Sequence, residues 1–166
     1  MPAHPRKVVK SDAEWARLLT QDQFLVTRKK ETEQPFTGKL LHNKQKGYYL
    51  CVCCGNPLFT SRTKFDSGTG WPSFFAPIRP GSVENEVDNS YGQVRVEVVC
   101  ASCDAHLGHV FDDGPAPTGL RYCMNSLALK FVKELPEAED ATKKKPETTS
   151  TEPDAASPKE AAIPNP

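Results

Sequence analysis

The chain carries six cysteines, and their spacing sorts them into two kinds. Cys51 and Cys54 form one Cys-x-x-Cys, and Cys100 and Cys103 form a second. Two thiolates from one tight turn can reach the same tetrahedral cation, and two such knuckles brought together complete a closed four-sulfur shell. Reversible disulfides are the competing explanation, but they need no matching pairs, so one structural zinc ion is expected at Cys51, Cys54, Cys100 and Cys103. A site with four thiolates has no position open for water or substrate, and its work is to hold the fold together. The stretch 55–99 is longer than a minimal zinc ribbon needs, which implies a catalytic or binding layer between the knuckles. Cys53 lies between two ligands of the first knuckle and reads as filler.

Cys123 is the thiol that remains. Taken alone, a buried core cysteine in a strand is the more ordinary reading. Its neighbours shift the balance, because Arg121 offers a positive charge that favours thiolate and Asn125 a side-chain amide. Upstream, His106-Leu107-Gly108-His109 places two imidazoles three residues apart beside the second knuckle, where a fixed loop could carry both to Cys123. Each histidine could instead be structural, and His106 is near enough to Cys103 in sequence to compete for zinc. With four cysteines already available, acid–base or hydrogen-bonding roles are favoured. Ser67-Gly68-Thr69-Gly70-Trp71-Pro72-Ser73-Phe74 is a glycine-flanked aromatic loop without the lysine and following helix of a phosphate cradle. Trp71 is either a core residue on a turn or an aromatic wall for a small apolar group, and the residues alone leave both open.

These groups need elements to position them. Ser11 followed by Glu14 is a capping-box pattern, and Trp15, Leu18 and Leu19 supply an apolar stripe, so a short amphipathic helix is expected over about 12–20. The segment 21–47 has no sustained period and should wrap the domain with at most one more helix. Tyr48-Tyr49-Leu50, Gln93 to Val99 and Leu127 to Val132 are rich in β-branched and aromatic residues and read as strands. In Val94, Val96 and Val98 the apolar residues alternate with polar ones, which suits one buried face. Turn signals at Ser67-Gly68, Pro80-Gly81 and Asp113-Gly114-Pro115 separate the runs. A mainly β domain with antiparallel strands follows.

At 166 residues the chain has room for one domain with tails. Residues 1–10 should be a flexible arm and 11–133 the domain. Residues 134–166, rich in proline, glutamate and lysine with almost no aliphatic side chains, should be disordered. Lysine and arginine total 21, as do aspartate and glutamate, so no global field favours nucleic acid or a membrane as partner. The absence of a secretory pattern or spanning segment leads to an expected cytoplasmic, soluble protein, taken as a monomer.

The segments Cys51 to Phe59, Lys64 to Phe74, Cys100 to Phe111 and Gly119 to Phe131 resemble the B-type methionine sulfoxide reductases over about 11–133. The resemblance is carried by Ser-Gly-Thr-Gly-Trp-Pro-Ser-Phe, His-Leu-Gly-His-Val-Phe and Arg-Tyr-Cys-Met-Asn-Ser, in that order. It implies a tent-like pair of antiparallel sheets, short N-terminal helices and a structural Cys₄ zinc site. It also implies that Cys123 is the nucleophile, His106, His109 and Asn125 supply protons and bind oxygen, Arg121 favours the thiolate, and Trp71 faces the substrate's methyl group. The implied reaction returns methionine-R-sulfoxide in oxidised proteins to methionine through a sulfenic acid on Cys123, which thioredoxin or another thiol then reduces. Many members carry a recycling cysteine where this chain has Thr37 or Thr69, so the reductant is expected to act on Cys123 directly. A non-catalytic zinc module that binds a partner is the alternative, and it would need neither Cys123 nor the histidines.

Overall fold

The structure, a computed structural model, describes residues 8–135. Helix α1 spans Asp12–Leu18 and α2 Gln21–Arg28. The strands are β1 Tyr48–Cys51, β2 Pro57–Thr60, β3 Lys64–Phe65, β4 Ser73–Phe74, β5 Val83–Asp88, β6 Arg95–Cys100, β7 His106–Phe111, β8 Arg121–Met124 and β9 Leu129–Val132. They form two antiparallel sheets, ordered β2-β1-β9 and β3-β4-β8-β7-β6-β5. The expected mainly β architecture is what the chain adopts. The tail assigned to 134–166 falls outside the described residues from 136 onward, as do residues 1–7.

Ser11 and Glu14 close the expected capping box on α1. The helix is shorter than expected, however, because Thr20 and Gln23 make a second box that starts α2. Leu19 leaves the helix in extended conformation and turns inward, whereas Leu18, expected on the apolar stripe, is 63% exposed. Trp15 is buried, with the Arg28 guanidinium 4.7 Å above its ring, so the two helices lock together through a cation–π contact.

The sheets meet through aromatic side chains. Phe59 of β2 stacks on Phe74 of β4 with centroids 4.4 Å apart, and Tyr49 of β1 meets Phe74 at 5.0 Å. Phe74 pairs with Tyr122 and Tyr122 with Val110 across β4, β8 and β7, so this row faces the core. Side chains alternate along a strand, and the adjacent row therefore points to the other side of the large sheet. That row is Ser73, Cys123, His109 and Glu97.

Strand β6 departs from the expected alternation. It begins at Arg95, leaving Val94 exposed, and its polar position Glu97 is buried along with Val98 and Val99 while Val96 is only half-buried. Both faces of β6 are covered, the second by the helices and the segment after them, through contacts such as α2 on β7 and Lys30 on Glu97.

Candidate active site

Strand pairing brings Cys123 opposite His109 on one side and Ser73 on the other. His106 is a harder case. It lies three residues from His109, and in a regular strand such residues point to opposite faces. A register shift solves this: Val98 pairs with Gly108 but Val99 pairs with His106, so Leu107 is the extra residue of a β-bulge. The shift returns His106 to the site face, and the two rings stand 5.5 Å apart in an edge-on arrangement. The histidines were expected on a loop; they are on β7, whose ladder fixes them more tightly. Gly108 is required there, since a Cβ would sit 2.1 Å from the Cys123 carbonyl oxygen.

Each imidazole is anchored by a carboxylate distant from it in sequence. His106 Nδ1 is 2.6 Å from Glu97 Oε2, with both side chains almost fully buried, and His109 Nε2 is 2.8 Å from Asp88 Oδ2. Burial pulls His106 below its ordinary pKa, and Glu97 partly restores it. Asp88 is held well below the carboxylate range, chiefly by its hydrogen bond from His109. His106 Nε2 is buried and without a protein partner, which leaves it open to a ligand. Glu97 was hidden by its place as a polar residue between valines, where an exposed side chain is the ordinary reading.

Cys123 is half-buried, and Thr69 Oγ1 lies 3.7 Å from its sulfur. Ser67 bonds to both Thr69 and Ser73, at 2.8 and 2.7 Å, completing a hydroxyl cluster beneath the thiol. Burial pushes the Cys123 thiol up, while Thr69, Arg121 and Ser73 oppose the rise. The Arg121 charge pulls toward the thiolate, and burial outweighs it. Its guanidinium is also held by two hydrogen bonds to Asp113, at 2.8 and 3.1 Å, and rests 4.4 Å over Phe111.

Trp71 is half-buried beside this cluster, and its indole N–H donates to the Glu33 carbonyl at 3.0 Å. It is not among the residues of the hydrophobic core cluster. Asn125 is buried: its Oδ1 accepts from the Glu33 N–H, and its Nδ2 donates to the Leu107 carbonyl at the bulge. That leaves one amide N–H for anything else. Glu33, which the sequence did not single out, ties these together and uses Oε1 to accept from the Leu127 N–H at 2.9 Å. Desolvation raises its pKa.

The two knuckles have the same local structure. In each, the N–H four residues after the first cysteine bonds back to that cysteine's carbonyl at 2.8 Å, with a left-handed residue there, Gly55 or Asp104. All four sulfurs lie within 4.8 Å of one another, and Cys51–Cys103 and Cys54–Cys100 are 3.6 Å apart. A tetrahedron with metal–sulfur bonds near 2.3 Å has edges of about 3.8 Å, so the donor set fits a metal ion. Crowding pulls Cys103 down to about 4, chiefly through its hydrogen bond with Cys100, and pushes Cys51 up through the same partner. Arg28 donates to the Cys103 carbonyl at 2.8 Å and approaches its sulfur at 3.8 Å. The expected layer between the knuckles contributes Thr69, Trp71, Ser73, Asp88 and Glu97, but Cys123 and both histidines follow the second knuckle. Cys53 stands against Cys103, Cys51 and Thr27, groups other than those around Cys123.

A thiol with hydroxyls on one side and anchored imidazoles on the other is an arrangement suited to thiol chemistry. The family comparison narrows the class. Residues 19–133 match the SelR domain. A Hahella chejuensis protein named peptide methionine sulfoxide reductase MsrB is 59% identical over 125 residues, covering 75% of this chain and 90% of the relative. Proteins of the same name from Methanosarcina mazei and Pseudomonas putida are 54% identical over 139 residues and 56% over 126, covering 84% and 76% of this chain and 96% and 95% of theirs. The chain belongs to the SelR family of B-type methionine sulfoxide reductases and is thus an oxidoreductase. Among the described residues, no helix is long and apolar enough to cross a membrane.

Proposed function

We propose that this chain reduces the R-sulfoxide of methionine residues in oxidised proteins, with Cys123 as the attacking sulfur. The observation that carries the reading is the bulge in β7, which sets both imidazoles on the face that presents Cys123. A sulfoxide sulfur becomes electrophilic when its oxygen is protonated or strongly hydrogen-bonded. His106 Nε2 is the buried donor nitrogen for that oxygen, and Glu97 stabilises the charged ring. His109, held by Asp88, and the remaining Asn125 N–H complete the polar side, while Trp71 closes the opposite side against the methyl group. Donors on one side and an aromatic face on the other distinguish the two hands of the sulfoxide.

The Cys123 thiolate attacks sulfur, the oxygen receives a proton and ends on Cys123, and methionine leaves. The thiol and sulfoxide thus become a sulfenic acid and a thioether, a two-electron exchange with no atom unaccounted for. Two equivalents of an external thiol, supplied by thioredoxin or a small reductant, then restore the thiol, releasing water and a disulfide. Threonines at 37 and 69 leave no recycling sulfur at those places, and Cys53 is engaged at the knuckle. Zinc at Cys51, Cys54, Cys100 and Cys103 would be structural and would clasp β1 to β6, with every ligand position filled by the chain. Separate assays with peptides bearing the R and the S sulfoxide, with dithiothreitol as reductant, test the reading. Turnover of the R form alone, lost in Cys123→Ser, is expected; turnover of the S form, or a serine variant near wild type, would overturn it.

A further inference from the structure

Phe36 is a large apolar side chain that the reaction above does not use. The residue is 66% exposed, and its backbone is left-handed at φ 67°. Bulky residues other than glycine rarely adopt that conformation, so the surroundings must hold it there. They do. The Phe36 N–H donates to the Gly70 carbonyl at 2.7 Å, and Thr37 Oγ1 donates to the Gln34 carbonyl at 2.6 Å. At one end of the loop Glu33 is bonded to Asn125 and Trp71; at the other Gly38 lies so close to Ser126 that a Cβ would fall 2.1 Å from its Oγ.

The held ring lies against Gly70 in the Ser67 to Phe74 loop. A Cβ on Gly70 would meet Pro35 Cβ at 2.6 Å and Phe36 Cδ2 at 2.9 Å, so Pro35 and Phe36 together cap Gly70. Gly70 joins Thr69, which touches the Cys123 sulfur, to Trp71. The apolar ring is therefore fixed one residue outward from both the nucleophile's neighbour and the aromatic wall.

We propose that Phe36 is a specificity-determining residue, which packs against an apolar residue flanking the methionine sulfoxide in the substrate chain. This rests on the reading that the enzyme acts on sulfoxide within proteins. A side chain that reaches Cys123 past Trp71 brings its own main chain to the rim, and the next residue follows within about 3.8 Å along the chain. A blocked single amino acid has no such residue to offer, and a glycine-flanked peptide has no side chain to place there.

The test compares kcat/KM for three substrates: N-acetyl methionine-R-sulfoxide amide, a peptide with the sulfoxide between glycines, and the same peptide with phenylalanines at both flanks. Wild type should favour the phenylalanine-flanked peptide over the glycine-flanked one by roughly fivefold, mainly through KM, the scale of one aromatic pair. Phe36→Ala should bring that ratio close to one, and Phe36→Trp, which keeps a ring, should retain it. A ratio unchanged in Phe36→Ala, or lost equally in Phe36→Trp, would overturn the proposal. Wild type inactive on all three substrates would instead overturn the underlying function. Activity on the blocked amino acid, with no preference between the peptides, would sink the Phe36 role alone.

Discussion

Replacing Glu97 by glutamine tests whether a buried carboxylate sets the proton inventory of the site. Glu97 Oε2 and His106 Nδ1 are 2.6 Å apart, with side chains 5% and 3% exposed, so water screens the pair little. Hydrogen bonds to charged groups contribute about 1.5–3 kcal/mol, and about 1.4 kcal/mol is tenfold in rate. Burial is the largest influence on His106 and lowers its pKa; Glu97 is the next and raises it. The amide preserves the shape and an oxygen acceptor but removes the charge, so the His106 pKa should fall further. A protonated His106 would then be scarcer at neutral pH, and kcat/KM should drop about tenfold there. The limb of the pH profile that reports this group should move toward acid. The assay is kcat/KM for a methionine-R-sulfoxide peptide across the neutral range, paired with NMR titration of the His106 ring. A profile and titration that overlay the wild type would refute the reasoning and leave Glu97 a merely structural acceptor.

Cys103→Ser should lose the bound metal and most of the domain's stability, because binding free energy at a closed site is folding free energy; metal analysis and thermal melts check this, and a metal-free wild type would overturn it. Gly108→Ala forces a Cβ to within 2.1 Å of the Cys123 carbonyl oxygen, so β7 and β8 must separate at the reacting pair. A stability loss of about 1–3 kcal/mol by chemical denaturation, with loss of activity, is expected. Burial holds His106 below its unfolded value of 6.5, so its contribution is complete above that pH and disappears as the pH falls through the lower folded value. Melts taken from neutral to acid should show stability declining across this window, and His106→Gln should flatten that part of the curve. Wild type given substrate without reductant should gain the mass of one oxygen or an intermolecular adduct; loss of two hydrogens, abolished by Cys53→Ser, would instead show an internal disulfide.

Much of the chemistry was local and therefore legible in the sequence. Paired Cys-x-x-Cys spacing needs only two tight turns, and both knuckles close with the same backbone bond. The first helix cap, the antiparallel β character and the isolation of Cys123 likewise depend on near neighbours. The second helix was within reach too, since Thr20 and Gln23 repeat the capping box of Ser11 and Glu14.

What the tertiary structure decided is which face each residue occupies and what stands opposite it. Periodicity alone would put His106 and His109 on opposite faces of a strand, and the single extra residue at Leu107 puts them on one. Glu97, Asp88 and Glu33 gain their meaning from partners 9, 21 and 92 residues away. Burial settles the rest: the same short sequence around Cys123 gives an easily ionised thiol beside Arg121 when exposed, and a thiol pushed upward when β7, β4 and the Trp71 loop close around it. Sequence spacing fixes which groups can share a turn, whereas desolvation and cross-strand register exist only after distant segments have packed.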